Sequence, residues 1–149
     1  MIETDYEVLV IGAGVAGICQ IKKLQENGIK SLVLEAGGGL GGTWYNNRYP
    51  GCRFDSESYT YGYAFSRDLL DSWHWKELFS PQPENLKYLN FVADKFDLHK
   101  HIRLNAAVEA MCWNEAQRQW SVTLASGEVL TSQFVITCTG ALGVPTLPS

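Results

Sequence analysis

Residues 6–35, YEVLVIGAGVAGICQIKKLQENGIKSLVLE, decide the fold. Glu7-Val8-Leu9-Val10-Ile11 is a short, β-branched apolar run with almost no polar interruption, the pattern of a buried strand. It passes directly into Gly12-Ala13-Gly14-Val15-Ala16-Gly17, a G-x-G-x-x-G turn. Apolar side chains then recur at helical spacing (Val15, Ile18, Cys19, Ile21, Leu24), and Asn27-Gly28 supplies a C-terminal stop. Ser31-Leu32-Val33-Leu34 is a second strand, closed by Glu35. Gly12 permits the tight turn out of the first strand, Gly14 lets backbone approach a pyrophosphate, and Gly17 lets the helix pack closely. The helix N-terminus offers unpaired N–H groups and partial positive charge to phosphates. Glu35 follows at about the distance where an acid meets an adenosine ribose. An acid there favours an unphosphorylated ribose, so FAD or NAD is expected rather than NADP.

The chain has 149 residues, the length of one ordinary domain, and its 46% apolar content is enough to bury a core. A net charge of −4 gives no reason to expect nucleic acid or an acidic membrane as partner. Cys19, Cys52, Cys112 and Cys138 form no C-x-x-C pair, and three of them sit in apolar patterns as small core residues. His74, His99 and His101 share no metal spacing with them, so no metal is expected. The first residues are neither basic nor long enough for a signal peptide, and no apolar run is long enough to span a bilayer. A cytoplasmic setting is the default expectation.

A second glycine cluster, Gly37-Gly38-Gly39 and Gly41-Gly42, runs into Thr43-Trp44-Tyr45-Asn46. Glycine at this density is costly to order, and close approach of backbone to a flat ligand explains it better than a hinge. Gly41-Gly42-Thr43-Trp44-Tyr45, Asn47-Arg48-Tyr49-Pro50-Gly51 and Asp55-Ser56-Glu57-Ser58 resemble the FAD-binding half of the Baeyer–Villiger monooxygenases, class B flavoproteins that insert oxygen beside a ketone. The likeness continues through Tyr59 to Phe65, Gln82-Pro83-Glu84 and residues 91–98, and closes at residues 139–148. Asn46 departs from the pattern, standing where the family commonly has a bulky ring.

The resemblance implies roles. The Thr43–Asn46 segment borders the flavin through backbone groups, following Gly42. Asp55 lies beside flavin and nicotinamide and helps orient an active-site arginine, with Arg53 and Phe54 along the same edge. Tyr61 contacts FAD, and the backbone of Val108 reads the adenine. It further implies NADPH as hydride donor, O2 as co-substrate and a small-molecule ketone converted to an ester or lactone. A related N- or S-oxygenating flavin monooxygenase and a catalytically silent flavin-binding module are the alternatives.

The remaining chain fits an α/β fold: a Rossmann-like parallel sheet with flanking helices and a small antiparallel β-meander, of the two-dinucleotide-binding-domain flavoprotein type, and incomplete. A short helix is expected over Leu69–Phe79, anchored by Leu70, Trp73, Leu78 and Phe79, and broken by Ser80-Pro81-Gln82-Pro83. Pro83 opens the next helix, striped by Leu86, Leu89, Val92, Ala93 and Phe96. Ile102–Leu104 is a short strand of the central sheet. Val108–Trp113, Gln119–Leu124 and Glu128–Leu130 form the meander, and Phe134–Cys138 is a buried parallel strand. The expected division is an FAD-binding domain over 1–140 and the start of a linker over 141–149. The second glycine triplet, the F-x-G-x-x-x-H signature and the final FAD segment that the resemblance implies are not among these residues. The chain is therefore expected to be the N-terminal part of a longer enzyme and inactive by itself.

Overall fold

A single six-stranded sheet carries the molecule, and its middle strand is the one the glycine turn follows. The computed structural model describes residues 3–141. Strand β1 (Tyr6–Ile11) is followed by helix α1 (Val15–Glu26) and strand β2 (Ser31–Leu34). Helix α1 stops where the sequence asks it to: Asn27 caps it with its amide on the Lys23 carbonyl, and Gly28 follows at φ +66°. Short helices α2 (Thr43–Asn46), α3 (Ser58–Tyr61) and α4 (Arg67–Ser72) precede the long α5 (Gln82–Lys95). Strands β3 (Ile102–Arg103), β4 (Val108–Asn114), β5 (Gln119–Leu124) and β6 (Val129–Thr137) complete the order β3-β2-β1-β6-β5-β4. Strands β3, β2, β1 and β6 run parallel, while β4, β5 and the start of β6 are antiparallel.

Both faces of the parallel part are covered. Val8, Val10 and Val33 pack beneath Ile18, Ile21, Tyr88, Leu89 and Val92 of α1 and α5. On the other face Leu9, Ile11, Leu32 and Leu34 meet Val122 and Leu124 of the meander. This double burial explains why β1 reads as continuous apolar sequence. Each fully buried aliphatic side chain contributes about 1.5–3 kcal/mol of transfer free energy.

Four expectations are corrected. Helix α4 covers only Arg67–Ser72, and Leu69 is its buried residue at 1% exposure, whereas Leu70, Leu78 and Phe79 are exposed. The Ser66 hydroxyl caps Leu69 N, and from Trp73 the backbone is extended, which sends Trp73 and Trp75 against Tyr88. Second, the meander's last strand and the expected strand at Phe134 are one continuous β6, antiparallel to β5 through Ser132 and parallel to β1 from Ser132 onward. Third, β6 is not buried along its length: Phe134 is 62% exposed. Fourth, Cys112 is exposed on β4, because that strand forms an edge of the sheet and is solvated along most of its length. No helix among the described residues is long and apolar enough to cross a membrane. Of the linker expected over 141–149, residues 142–149 lie outside the described residues.

Candidate dinucleotide-binding site

The sheet order reverses around β1: β2 and β3 lie on one side of it and β6 on the other. At such a reversal in a parallel sheet a crevice opens beyond the strand ends. The Gly12–Gly17 turn stands at this point. Gly12 has φ +101°, and a β-carbon there would lie 2.6 Å from the Cys138 carbonyl oxygen, so the exit of β6 passes directly beside the turn. A β-carbon on Gly17 would overlap the Gly12 carbonyl, so the first turn of α1 rests on the glycine turn itself. Gly14 is the N-cap of α1 and brings no side-chain cap, and the first turn contains no acid. The orphan N–H groups of that turn therefore keep their appetite for an anion.

Glu35 is aimed at this turn. Its Oε2 accepts from Ala13 N at 2.7 Å and its Oε1 from Gly37 N at 2.7 Å. A carboxylate offers about four acceptor positions, so two directions stay available for ribose hydroxyls. The backbone around it is tied down as well: Glu35 N donates to Arg103 O, and Ala106 N donates to Glu35 O. Val108 opens β4 two residues further on and is half-buried against the Leu9 cluster.

The second glycine loop closes against the first. Gly41 N donates to Ala13 O, and Gly42, at φ +54°, lies so close that a β-carbon on it would sit 2.9 Å from Gly14 Cα. Gly39 has no room for a side chain because the Tyr45 ring lies 2.3 Å from its β-carbon position, a β-carbon on Gly37 would meet Glu35 Oε1 at 3.1 Å, and Gly41 has φ +124°. These close approaches are to the protein's own groups.

Thr43 and Asn46 are exposed on α2, while Trp44 is buried at 4% exposure. Trp44 Nε1 donates to Tyr61 Oη at 2.6 Å, and Phe54 packs tilted against Tyr61 with ring centroids 4.0 Å apart. Burial pushes the Tyr61 hydroxyl above its ordinary pKa, partly offset by the hydrogen bond from Trp44. The site residues thus fall into three groups. Gly12, Gly14, Gly17, Glu35, Gly42 and the start of Thr43–Asn46 converge on the crevice. Trp44, Phe54 and Tyr61 form an aromatic wall that continues from it through α2. Arg53 and Asp55 lie on an exposed loop, where Arg53 is bound to Glu77 Oε2 at 2.6 Å and to Phe79 O at 2.8 Å.

Several side chains that organise the site were not singled out in the sequence. The buried Gln82 side chain donates to the Trp44 carbonyl, tying α5 to α2. Tyr63 Oη donates to Val15 O at 2.6 Å, anchoring the start of α1, and Tyr88 Oη accepts from Tyr63 N at 2.7 Å.

Comparison with known proteins agrees with this geometry. A family model described as an NAD(P)-binding Rossmann-like domain matches residues 10–74. The chain is 48% identical over 142 residues to 2-oxo-Δ3-4,5,5-trimethylcyclopentenylacetyl-CoA monooxygenase of Pseudomonas putida, matching 95% of this chain and 26% of that one. It is 38% identical over 145 residues to a Baeyer–Villiger monooxygenase of Pseudooceanicola batsensis, covering 97% and 27% respectively. The phenazine N-monooxygenase PhzNO1 of Lysobacter antibioticus is 36% identical over 147 residues, covering 98% and 27%. Among solved structures, OTEMO in complex with FAD and NADP superposes with a TM-score of 0.93 at 46% identity, over 98% of this chain and 28% of that one. The chain spans about a quarter of the length of the curated relatives it matches. Over nearly its whole length the chain is homologous to a segment, about a quarter of their length, of monooxygenases that include Baeyer–Villiger monooxygenases.

Proposed function

We propose that residues 1–140 are the FAD-binding part of a flavoprotein monooxygenase that uses NADPH and O2 to convert a ketone to an ester or lactone, and that 141–149 begin a linker to its further domain. The observation that carries the reading is the Glu35 carboxylate held at the glycine turn, beside an uncapped helix N-terminus. The residues fit the cofactor. Gly14, the N-cap of α1, puts no side chain over the helix N-terminus, and an acid suits the two hydroxyls of an unphosphorylated ribose.

In this reading the N-terminus of α1 binds the pyrophosphate and Glu35 the adenosine ribose. Val108 presents backbone to the adenine, and the Thr43–Asn46 segment borders the ring system. Trp44, Phe54 and Tyr61 exclude water from that border, which strengthens every electrostatic contact inside it. Asp55, with Arg53 and Phe54, orients groups on the nicotinamide edge. The bound flavin supplies the redox chemistry and oxygen activation, which protein side chains do not. With most of a relative's length lying outside this segment, the segment alone is not expected to turn over.

Titration of the purified chain with FAD, followed by flavin fluorescence, tests the cofactor assignment: saturable binding of one flavin per chain is expected, and none would remove it. A second reading, N-oxygenation, draws on the likeness to the phenazine N-monooxygenase. Product analysis of the intact protein, offered a cyclic ketone against an amine and a sulfide, separates the two; exclusive ester or lactone formation is expected.

A further inference from the structure

We propose that Tyr45 is a positioning residue whose ring locks the Gly37–Gly39 loop so that Gly37 N–H fixes one oxygen of Glu35, presetting that carboxylate for an adenosine ribose. The proposal rests on the reading of the crevice as the FAD site and assigns a task to a side chain that the resemblance used only through its backbone. Three neighbouring glycines point to it. A β-carbon on Gly39 would overlap Cε2 of the Tyr45 ring; on Gly37 it would lie 3.4 Å from Cε1, and on Gly38 3.3 Å from the hydroxyl. The ring therefore lies along the loop, filling the volume a Gly39 side chain would need and touching the positions beside Gly37 and Gly38.

The ring is itself held. Tyr45 N donates to Gly42 O at 3.0 Å within α2, and the Arg48 guanidinium sits 4.8 Å from the ring centroid while its Nε donates to Tyr45 O. On the loop's other side, Asn105 N donates to Gly37 O at 3.0 Å. Three consecutive glycines without such a clamp lose more conformational freedom on ordering than any other sequence would. With the clamp the Gly37 N–H stays 2.7 Å from Glu35 Oε1, and the carboxylate cannot swing away from Ala13.

FAD and ADP binding to the purified chain, measured by fluorescence and calorimetry, tests this. Tyr45→Ala is expected to weaken both ligands about tenfold. Tyr45→Phe, which keeps the ring carbons, should recover most of that loss. In a Glu35→Gln background Tyr45→Ala should cost no more than about twofold further, since residues acting through one another are not additive. Gly39→Ala reports on the contact independently of whether Tyr45→Ala folds well. It should weaken ADP binding in the wild-type chain, where the new methyl meets the ring, and should add nothing in Tyr45→Ala. Additive losses for Tyr45 and Glu35, or a Gly39→Ala effect unchanged by removing the ring, would overturn the proposal. Wild-type chain that binds neither FAD nor ADP would instead remove the underlying FAD reading, and the proposal with it.

Discussion

At the residue scale, Glu35 does two jobs, and its substitutions should separate them. Its oxygens satisfy Ala13 N and Gly37 N before any ribose is present. Glu35→Ala leaves both donors unpaired in a half-buried place, so it should lower the stability of the flavin-free chain by about 1–3 kcal/mol, read from denaturant unfolding. Glu35→Gln keeps an acceptor and removes the charge. Its NH2 group faces one of the two N–H donors, so it should cost less stability than Glu35→Ala, and it should weaken FAD in the intact protein by about 1.5–3 kcal/mol, read from flavin absorbance retained after gel filtration. Gly14→Val should weaken FAD as well, because branched atoms beyond a β-carbon already 3.6 Å from Gly42 Cα have no room. Unchanged flavin retention in both Glu35→Gln and Gly14→Val would remove the assignment of this crevice. Gly12, Gly17 and Glu35 were legible in the sequence because turn, helix and acid are separated by short, fixed distances along one βαβ unit. Gln82, Tyr63 and Tyr88 were not. Their work is to join segments 25–48 residues apart, and no local periodicity records such a partner.

Among the elements, those with a strong period were the legible ones. Strand β1, α1, β2, α5 and β5 lie where apolar spacing put them, because each buries a continuous face. The stretch after Ser66 misled for a physical reason. Leu70, Trp73, Leu78 and Phe79 imitate a helical stripe, yet the helix begins under a serine cap with Leu69 inward, and extended backbone from Trp73 lets two indoles reach Tyr88. Leu69→Ala should therefore cost about 2–4 kcal/mol, while Leu70→Ala and Leu78→Ala stay within about 0.5 kcal/mol. Chemical denaturation of the three variants checks the assignment, and an equal cost at Leu70 would restore the longer helix. Strand β6 was split in the sequence because its polar Thr131-Ser132-Gln133 reads as a break. In the structure Ser132 is fully buried where the strand changes partner from β5 to β1.

Across the whole molecule, electrostatic ties and uncovered apolar surface set how the chain behaves alone. The Asp5 carboxyl accepts from the Thr131 backbone and hydroxyl, and the Glu128 carboxyl from Arg103; both are held below the ordinary carboxylate range by these bonds. Groups lowered in this way add stability that is complete above their unfolded pKa and is lost as pH falls through the folded one. Melting temperature should thus fall progressively below about pH 4, and Thr131→Ala should flatten that slope. Phe134 at 62%, Val129 at 53% and Trp113 at 44% exposure leave apolar area on β6 and β4 in contact with water. The chain is therefore expected to bind an apolar dye, and Phe134→Ser to reduce that binding at a cost within about 0.5 kcal/mol. The same openness bears on the cofactor. A crevice with walls from only a quarter of a relative's length leaves much of a flavin's surface wet, so FAD should be held weakly and should shift thermal unfolding little. A self-sufficient site saturated at a hundred times its Kd would gain about 2.7 kcal/mol and roughly 5–10 °C. Melting with and without FAD distinguishes these cases: a broad transition moved by only a degree or two is expected, and a sharp one moved by the larger amount would show that the cradle at Gly12–Gly17 and Glu35 suffices.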